Sequence, residues 1–347
     1  MSHTRRHFLG AVSSAAAVGL VHSQAHGALQ SGSKPLGVAV VGLGTQSQQV
    51  LEASVSWISS SPHCRVAGLV SSDRSKSMTY ATKLGLSSRQ LYSYASFDKI
   101  ASDESIDIVY IAVPNAMHCE LALRAAKAGK HVFCESPMAI DSNQCQSMIQ
   151  ACHENNRALA VASSPLPKLM NCCGPIRSIE ASNALAIDPK SSWRLDRELA
   201  GGGALLQAGI DVLRTQRLWA DSDPLWVIAQ ETKTDATRFA QIDESVTWSL
   251  GFANGTVAHG AVSLNHSAPG QLNVQGQQAC LSSEFPSPNH YWSRANQLEA
   301  FAASIQGKDC LPADRFNTLD PASALEDMLL VEAILRSINQ RSQVQLG

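Results

Sequence analysis

Gly42-Leu43-Gly44 follows directly on the apolar run Leu36 to Val41. A short unbroken apolar run is expected of a strand buried on both faces. Beyond the glycines, Val50, Leu51, Val55 and Ile58 fall at helical spacing. A glycine turn between strand and helix lets the backbone approach a pyrophosphate at the helix N-terminus. Ser47 stands where the usual third glycine would be, so by itself the turn could also be an ordinary connection. A second candidate follows the next strand, residues 65–70, in Ser71-Ser72-Asp73-Arg74-Ser75-Lys76. A carboxylate at this place holds the free ribose hydroxyls of NAD. The Ser71 hydroxyl with Arg74 and Lys76 suits a 2′-phosphate better, which points to NADP and leaves Asp73 as the partner for NAD. The third candidate is the pair Gln207 and Asp211, four residues apart and so on one side of a helix. Asp211 has the chemistry of a general base. Its plainer reading is a solvated helix residue paired with Arg214 three positions on.

The elements that must carry these residues alternate. Strands are expected at 36–41, 65–70, 107–113, 131–134 and 159–162, and helices at 75–84, 116–128 and 142–154. Gly85 and Gly129 stop two of the helices and Asp141 caps the third. Strands alternating with helices give a doubly wound parallel sheet of the α/β class. Further on, Val246, Trp248, Leu250 and Phe252 alternate along a strand, Asn254-Gly255 turns, and residues 257–264 return. Residues 320–339 form a long closing helix, with Ala324, Leu325, Met328, Leu329, Glu332 and Leu335 near helical spacing.

The chain of 347 residues is long enough for two domains at roughly 100–200 residues each. Lys+Arg 27 against Asp+Glu 29 leaves a net charge of −2, which gives no basic footprint for nucleic acid. No apolar run is long enough to cross a bilayer. Nine cysteines without a CxxC pair argue against a disulfide scaffold or a zinc site; they read as buried free thiols, and no metal is expected. No acidic residue precedes Glu52. Arg5-Arg6-His7-Phe8-Leu9 opens an apolar stretch to about Val21, and small residues follow at Ala25 and Gly27. The pattern looks like a twin-arginine export signal, so the expected location is the periplasm.

Longer motifs carry a family resemblance. Val113-Pro114-Asn115-x-x-His118 and Ala128-Gly129-Lys130-His131-Val132-Phe133-Cys134-Glu135-Ser136-Pro137-Met138-Ala139 resemble the signature of the Gfo/Idh/MocA oxidoreductases. Tyr94-Ala95-Ser96-Phe97-Asp98-Lys99-Ile100 and Trp193-Arg194-Leu195 through Gly201-Gly202-Gly203 are similar to its exported glucose–fructose oxidoreductase branch. The resemblance implies a leader and linker over 1–34 and a nucleotide-binding Rossmann domain over 35–163. An α+β domain over 164–347 then carries a large, open, mostly antiparallel sheet that serves substrate and homo-oligomer contacts. It implies a sugar or polyol substrate. It adds Pro114, Asn115, His118, Glu135, Trp193 and Arg194 to Gly42, Leu43, Gly44, Ser71, Arg74 and Lys76 as cofactor residues. The family's catalytic Lys falls at Ser136, its Asp at Gln207, and its His or Tyr at Asp211. The segment 163–175 is also shorter than the family pattern by a Tyr-Arg motif and a helix, and Pro165 and Pro167 disfavour a helix there. An active enzyme with an altered proton relay, a non-catalytic nucleotide-binding relative and a structural subunit all remain open at this point.

Overall fold

The structure is a computed structural model that describes residues 34–43, 61–163, 173–188, 192–285, 291–308 and 320–346. The leader with Arg5 and Arg6, the residues Gly44, Ser47 and Val50 to Ile58, and Pro165 and Pro167 lie outside the described residues.

The first sheet is built from short apolar strands: β1 (Leu36–Val41), β2 (Cys64–Val70), β3 (Leu91–Tyr92), β4 (Ile108–Ile111), β5 (His131–Cys134) and β6 (Leu159–Val161). All pairings are parallel, in the order β3-β2-β1-β4-β5-β6. The chain direction across the sheet reverses between β1 and β4, which opens a crevice beyond their C-terminal ends. Between the strands run α1 (Arg74–Leu84), α2 (His118–Lys127) and α3 (Ser142–Glu154). The expected cap at Asp141 is present, and Asp73 caps α1 as well. Asp73 accepts the Lys76 N–H at 3.0 Å, and Asp141 accepts the Gln144 N–H at 2.8 Å. Gly85 takes the left-handed conformation that ends α1.

His131 opens β5 and is held neutral. Burial pushes its pKa down to about 4, with help from the nearby Arg157 cation. Its Nδ1 accepts the Ala158 N–H at 2.9 Å. Because the folded value lies below the unfolded value of about 6.5, the imidazole supports the fold above pH 6.5. That support is lost as pH falls toward 4, by roughly 3 kcal/mol in all. Equilibrium denaturation across this range should show the loss. His131→Asn, which keeps an acceptor for Ala158, should flatten it.

The second sheet has seven strands: β7 (Ile176–Ala184), β8 (Pro224–Thr232), β9 (Ser245–Phe252), β10 (Val257–Ser263), β11 (Ala268–Gly276), β12 (Cys280–Phe285) and β13 (Val344–Gln345). The order is β12-β11-β7-β10-β9-β8-β13, and only the β7–β10 pair is parallel. One face buries Val246, Trp248, Leu250, Ala258, Val262 and Leu272. Trp248 crosses Gly260 so closely that a Cβ there would lie 2.1 Å from the indole. Its Nε1 donates to Gln216 at 2.9 Å. The other face leaves Glu180, Ile228, Thr247, His259 and Gln271 exposed.

The remaining helices are α4 (Ser192–Leu195), α5 (Arg197–Ala200), α6 (Ile210–Ala220), α7 (Tyr291–Ile305) and α8 (Pro321–Gln340). Helix α7 departs from a simple division of the chain at residue 163. Its Leu298, Phe301 and Ala302 pack with Val38, Val40, Tyr110 and Phe133 of the first sheet. Gln297 takes the Ser163 N–H at 2.9 Å and gives its amide to the Ser163 carbonyl at 2.7 Å. The C-terminal half therefore supplies a layer of the N-terminal domain's core.

Of the cysteines described, Cys64, Cys134, Cys145, Cys152 and Cys173 are buried free thiols, Cys119 is half-buried, and Cys280 is exposed. Among the described residues no helix is long and apolar enough to cross a membrane. None of their His, Cys, Asp or Glu side chains converge in threes as metal ligands.

Candidate functional site

Turns beyond the C-terminal ends of β1, β4 and β5 line one crevice, and a fourth turn from the second domain packs against them. Gly42 ends β1 with φ +104. A Cβ at this position would sit 2.1 Å from the Ala112 carbonyl oxygen, so only glycine fits. Its N–H donates to Val70 O at 3.0 Å, which ties β1 to β2 beneath the crevice. Leu43 is buried in the core and contributes its backbone to the turn.

The turn after β4 begins at Pro114. Asn115 is 4% exposed and donates through Nδ2 to the Ala200 carbonyl at 2.9 Å. This bond carries the N-terminal domain across to the end of α5. His118 points inward. Its Nδ1 lies 2.9 Å from Pro137 O and its Nε2 3.0 Å from Val113 O. Burial lowers its pKa, against the pull of these two carbonyls toward the charged form. Both ring nitrogens are taken by backbone, so the imidazole joins the turn after β4 to the turn after β5 rather than reaching a ligand. In that second turn Glu135 accepts the Tyr110 hydroxyl at 2.6 Å. The Ser136 Oγ beside it is buried and has no hydrogen-bond partner among the described residues.

The fourth turn is Gly201-Gly202-Gly203. A Cβ at Gly201 would lie 2.3 Å from the Ile140 side chain, and one at Gly203 would lie 2.0 Å from the Asp243 carbonyl. The run is therefore pressed between the turn after β5 and the start of β9. Asp243 fixes it, accepting the Gly203 N–H at 2.8 Å and the Leu205 N–H at 2.7 Å. Behind it, Glu244 is buried; burial alone would raise its pKa, but donors from Asp235, Thr234 and Asn265 hold it below the usual carboxylate value. The chain then forms a π-helical turn over Leu205–Gly209 before α6 begins. Such turns are rare and often mark functional sites. Gln207 lies in it, and Asp211 lies just beyond it, at the start of α6 and half-buried. Arg214, three positions on from Asp211, gives its Nε to Asp327 at 2.7 Å.

At the outer edge, Ser71 is buried and its Oγ accepts the Asp73 N–H at 3.0 Å. Asp73 caps α1 with one oxygen and has Lys76 Nζ 3.9 Å from the other. Arg74 is exposed at the first position of α1. Trp193 and Arg194 form α4 with Leu195, and the guanidinium lies 4.5 Å from the Trp193 ring centre. Sequence reading did not anticipate Asp243 or the Ala200 carbonyl. The three successive glycines were the available signal, because such a run marks close backbone contact.

These features fit a dinucleotide. The glycine turn sits at the topological switch point, where the missing Cβ of Gly42 lets the end of β1 close onto Ala112 beside the crevice. The orphaned Ser136 hydroxyl provides a polar atom in want of a partner at the adjoining turn. A separate cavity of about 880 Å³, lined in part by Gln230, Thr247, His259 and Arg341, shares none of these residues.

Comparison with known proteins agrees with this geometry. The family model described as "Oxidoreductase family, NAD-binding Rossmann fold" matches residues 36–163, and the "GFO/IDH/MocA C-terminal domain" model matches residues 171–282. The NADP-dependent D-xylose 1-dehydrogenase of Haloarcula marismortui is 28% identical over 295 residues, covering 78% of each chain. Levoglucosan dehydrogenase of Pseudarthrobacter phenanthrenivorans is 29% identical over 219 residues, covering 52% of this chain and 55% of its own. The crystal structure of aldose–aldose oxidoreductase from Caulobacter crescentus, complexed with glycerol, superposes with a TM-score of 0.74 at 28% identity. It covers 90% of this chain and 100% of that one.

Proposed function

Since the chain belongs to the Gfo/Idh/MocA oxidoreductases, with an NAD(P)-binding Rossmann domain, we propose that it moves a hydride between a sugar or polyol carbon and NADP. The observation that carries this reading is the junction of three turns, with Asn115 bound to Ala200 and Gly201 packed on Ile140. It closes the second domain over the crevice where a nicotinamide would end. The bound cofactor supplies the hydride acceptor. Gly42 and Leu43 would hold its pyrophosphate side and the turns of Pro114–His118 and Glu135–Ser136 its nicotinamide side, and Gly44 belongs to the same sequence motif. The buried Ser136 hydroxyl, with no partner among the described residues, supports a hydrogen bond to a carboxamide or a substrate oxygen once the crevice is filled.

The proton leaves the substrate hydroxyl for Asp211, which stands at the mouth of α6 beyond the glycine run. Position 136 carries no cation to stabilise a developing alkoxide, a contribution that is often the largest in such a site. The chain would therefore work with an altered catalytic set; its motifs resemble those of the exported glucose–fructose branch, and glucose itself is expected to be a slow substrate. The test is a panel of aldoses, polyols and sugar acids with NADP⁺, followed by absorbance of the reduced cofactor. Turnover of at least one supports the reading, and a flat panel across all classes contradicts it.

Asp73 is committed to capping α1, which supports Arg74, Lys76 and Ser71 as a 2′-phosphate site. A shielded charge-assisted hydrogen bond is worth ~1.5–3 kcal/mol. Arg74→Ala should therefore weaken NADP more than NAD in calorimetric titration, and equal losses would remove Arg74 from that site. Arg5-Arg6 supports export to the periplasm in folded form. Changing both to lysine should trap the protein in the cytoplasm, as read by cell fractionation. The uncovered face of the second sheet, where Ile228 is 46% exposed, supports pairing of two copies through it.

A further inference from the structure

Gln207 commits every polar atom of its side chain to its own neighbours. Its Oε1 accepts from Arg194 Nη1 at 3.2 Å. Its Nε2 donates to the Arg194 carbonyl at 2.8 Å and to the Gly202 carbonyl at 2.9 Å. The segment between is otherwise two short helices, with Asp196 capping the second and Gly201 in the left-handed conformation ending it. Short helices of this kind do not hold themselves in place, because a single turn recovers little of its nucleation cost. The amide closes the segment onto the π-helical turn at three points.

The chemistry of the clasp requires an amide. A carboxylate accepts but cannot donate, so Asp or Glu at this position would face two carbonyl oxygens without a hydrogen between them. We infer that Gln207 is a positioning residue. It fixes the backbone and guanidinium of Arg194, and with them Trp193, where the nucleotide is bound. The inference rests on the cofactor reading above for its second half only, because the clasp exists without any ligand. Position 207 in this chain thus serves geometry, and the proton chemistry that a carboxylate would bring there is absent.

The test uses the full-length protein, Gln207→Glu and Gln207→Ala, each first checked for a normal thermal transition. Without nucleotide, limited trypsin digestion reads the clasp directly. The parent should resist cleavage after Arg194 and Arg197, and both variants should be cut there early. Calorimetry with NADP⁺ reads its consequence. At pH 8 both variants should lose about tenfold to a hundredfold in affinity. Gln207→Glu should lose more than Gln207→Ala, because its carboxylate is set against two carbonyl oxygens that alanine leaves to water. Digestion patterns identical to the parent's would overturn the clasp. A Gln207→Glu loss equal to or smaller than that of Gln207→Ala would overturn the need for a donor. If the parent binds neither NADP nor NAD while the variants are still cut, the clasp stands and the cofactor reading falls.

Discussion

Asp211→Asn should lower turnover by roughly 10²–10⁴-fold, the usual cost of removing a positioned general base. The substitution keeps the size and hydrogen-bonding shape of the side chain. It removes only the capacity to take a proton from a substrate hydroxyl. Nucleotide affinity should stay at the parent's level, because Gly42, Asn115 and Arg194 belong to other elements. The loss should therefore appear in kcat, with KM little changed. The carbonyl of Asp211 accepts the Thr215 hydroxyl at 2.7 Å, and this backbone contact is untouched by the change. Stopped-flow and steady-state assays on the best substrate of the panel check the prediction. A variant with parental kcat would place the base elsewhere.

Asp327→Ala should remove about 3–5 kcal/mol of stability, the typical cost of breaking a buried ion pair from one side. Asp327 on α8 is fully buried. It lies 2.7 Å from Arg214 Nε and 2.9 Å from Arg217 Nη2, both on α6. Arg217 also reaches Glu326 at 2.6 Å. Removing the carboxylate leaves the buried Arg214 without the anion that its Nε contacts. The Coulomb gain of such a network partly offsets its desolvation cost, but a guanidinium stranded inside the protein has no such offset. The site should suffer with the fold, since α6 starts at Ile210 and carries Asp211 at its mouth. Urea denaturation measures the first effect. Retention of parental stability would mean that water reaches Arg214 when the partner is removed.

Much of the first domain was legible because its signals are local. The apolar run at 131–134 and the Asp141 cap before 142–154 match β5 and α3 at both ends. The 107–113 run overshoots β4, because Ala112 and Val113 already belong to the turn that crosses to Asn115. The second sheet was half legible. The β9–β10 hairpin shows alternation and an Asn-Gly turn, whereas β7 alternates Ile179 and Ala181 with Ser178, Glu180 and Ser182 and is stabilised by β10 and β11 far along the chain. Helix α7 gave no usable local signal of its place, because Phe301 finds Phe133 across 168 residues of sequence, at 5.8 Å between ring centres. At the site, residue types were visible and their commitments were not. His118 looked available for a ligand until its two nitrogens were found against Pro137 O and Val113 O. Gln207 looked like a lost acid until its amide was found on Arg194 and Gly202. Ser136 stood out only through family resemblance, since a serine after a strand has no signature of its own.

The most direct test of the account is the fate of one hydrogen. The purified protein is incubated with NADP⁺ and an aldose deuterated at C1, or a polyol deuterated at its carbinol carbon, chosen from the panel. The nicotinamide is then examined by mass spectrometry. The account predicts deuterium on the reduced nicotinamide ring, transferred directly from the substrate carbon. Reduced cofactor that carries no deuterium, or no reduction with any sugar or polyol by a protein shown to hold the nucleotide, would contradict it.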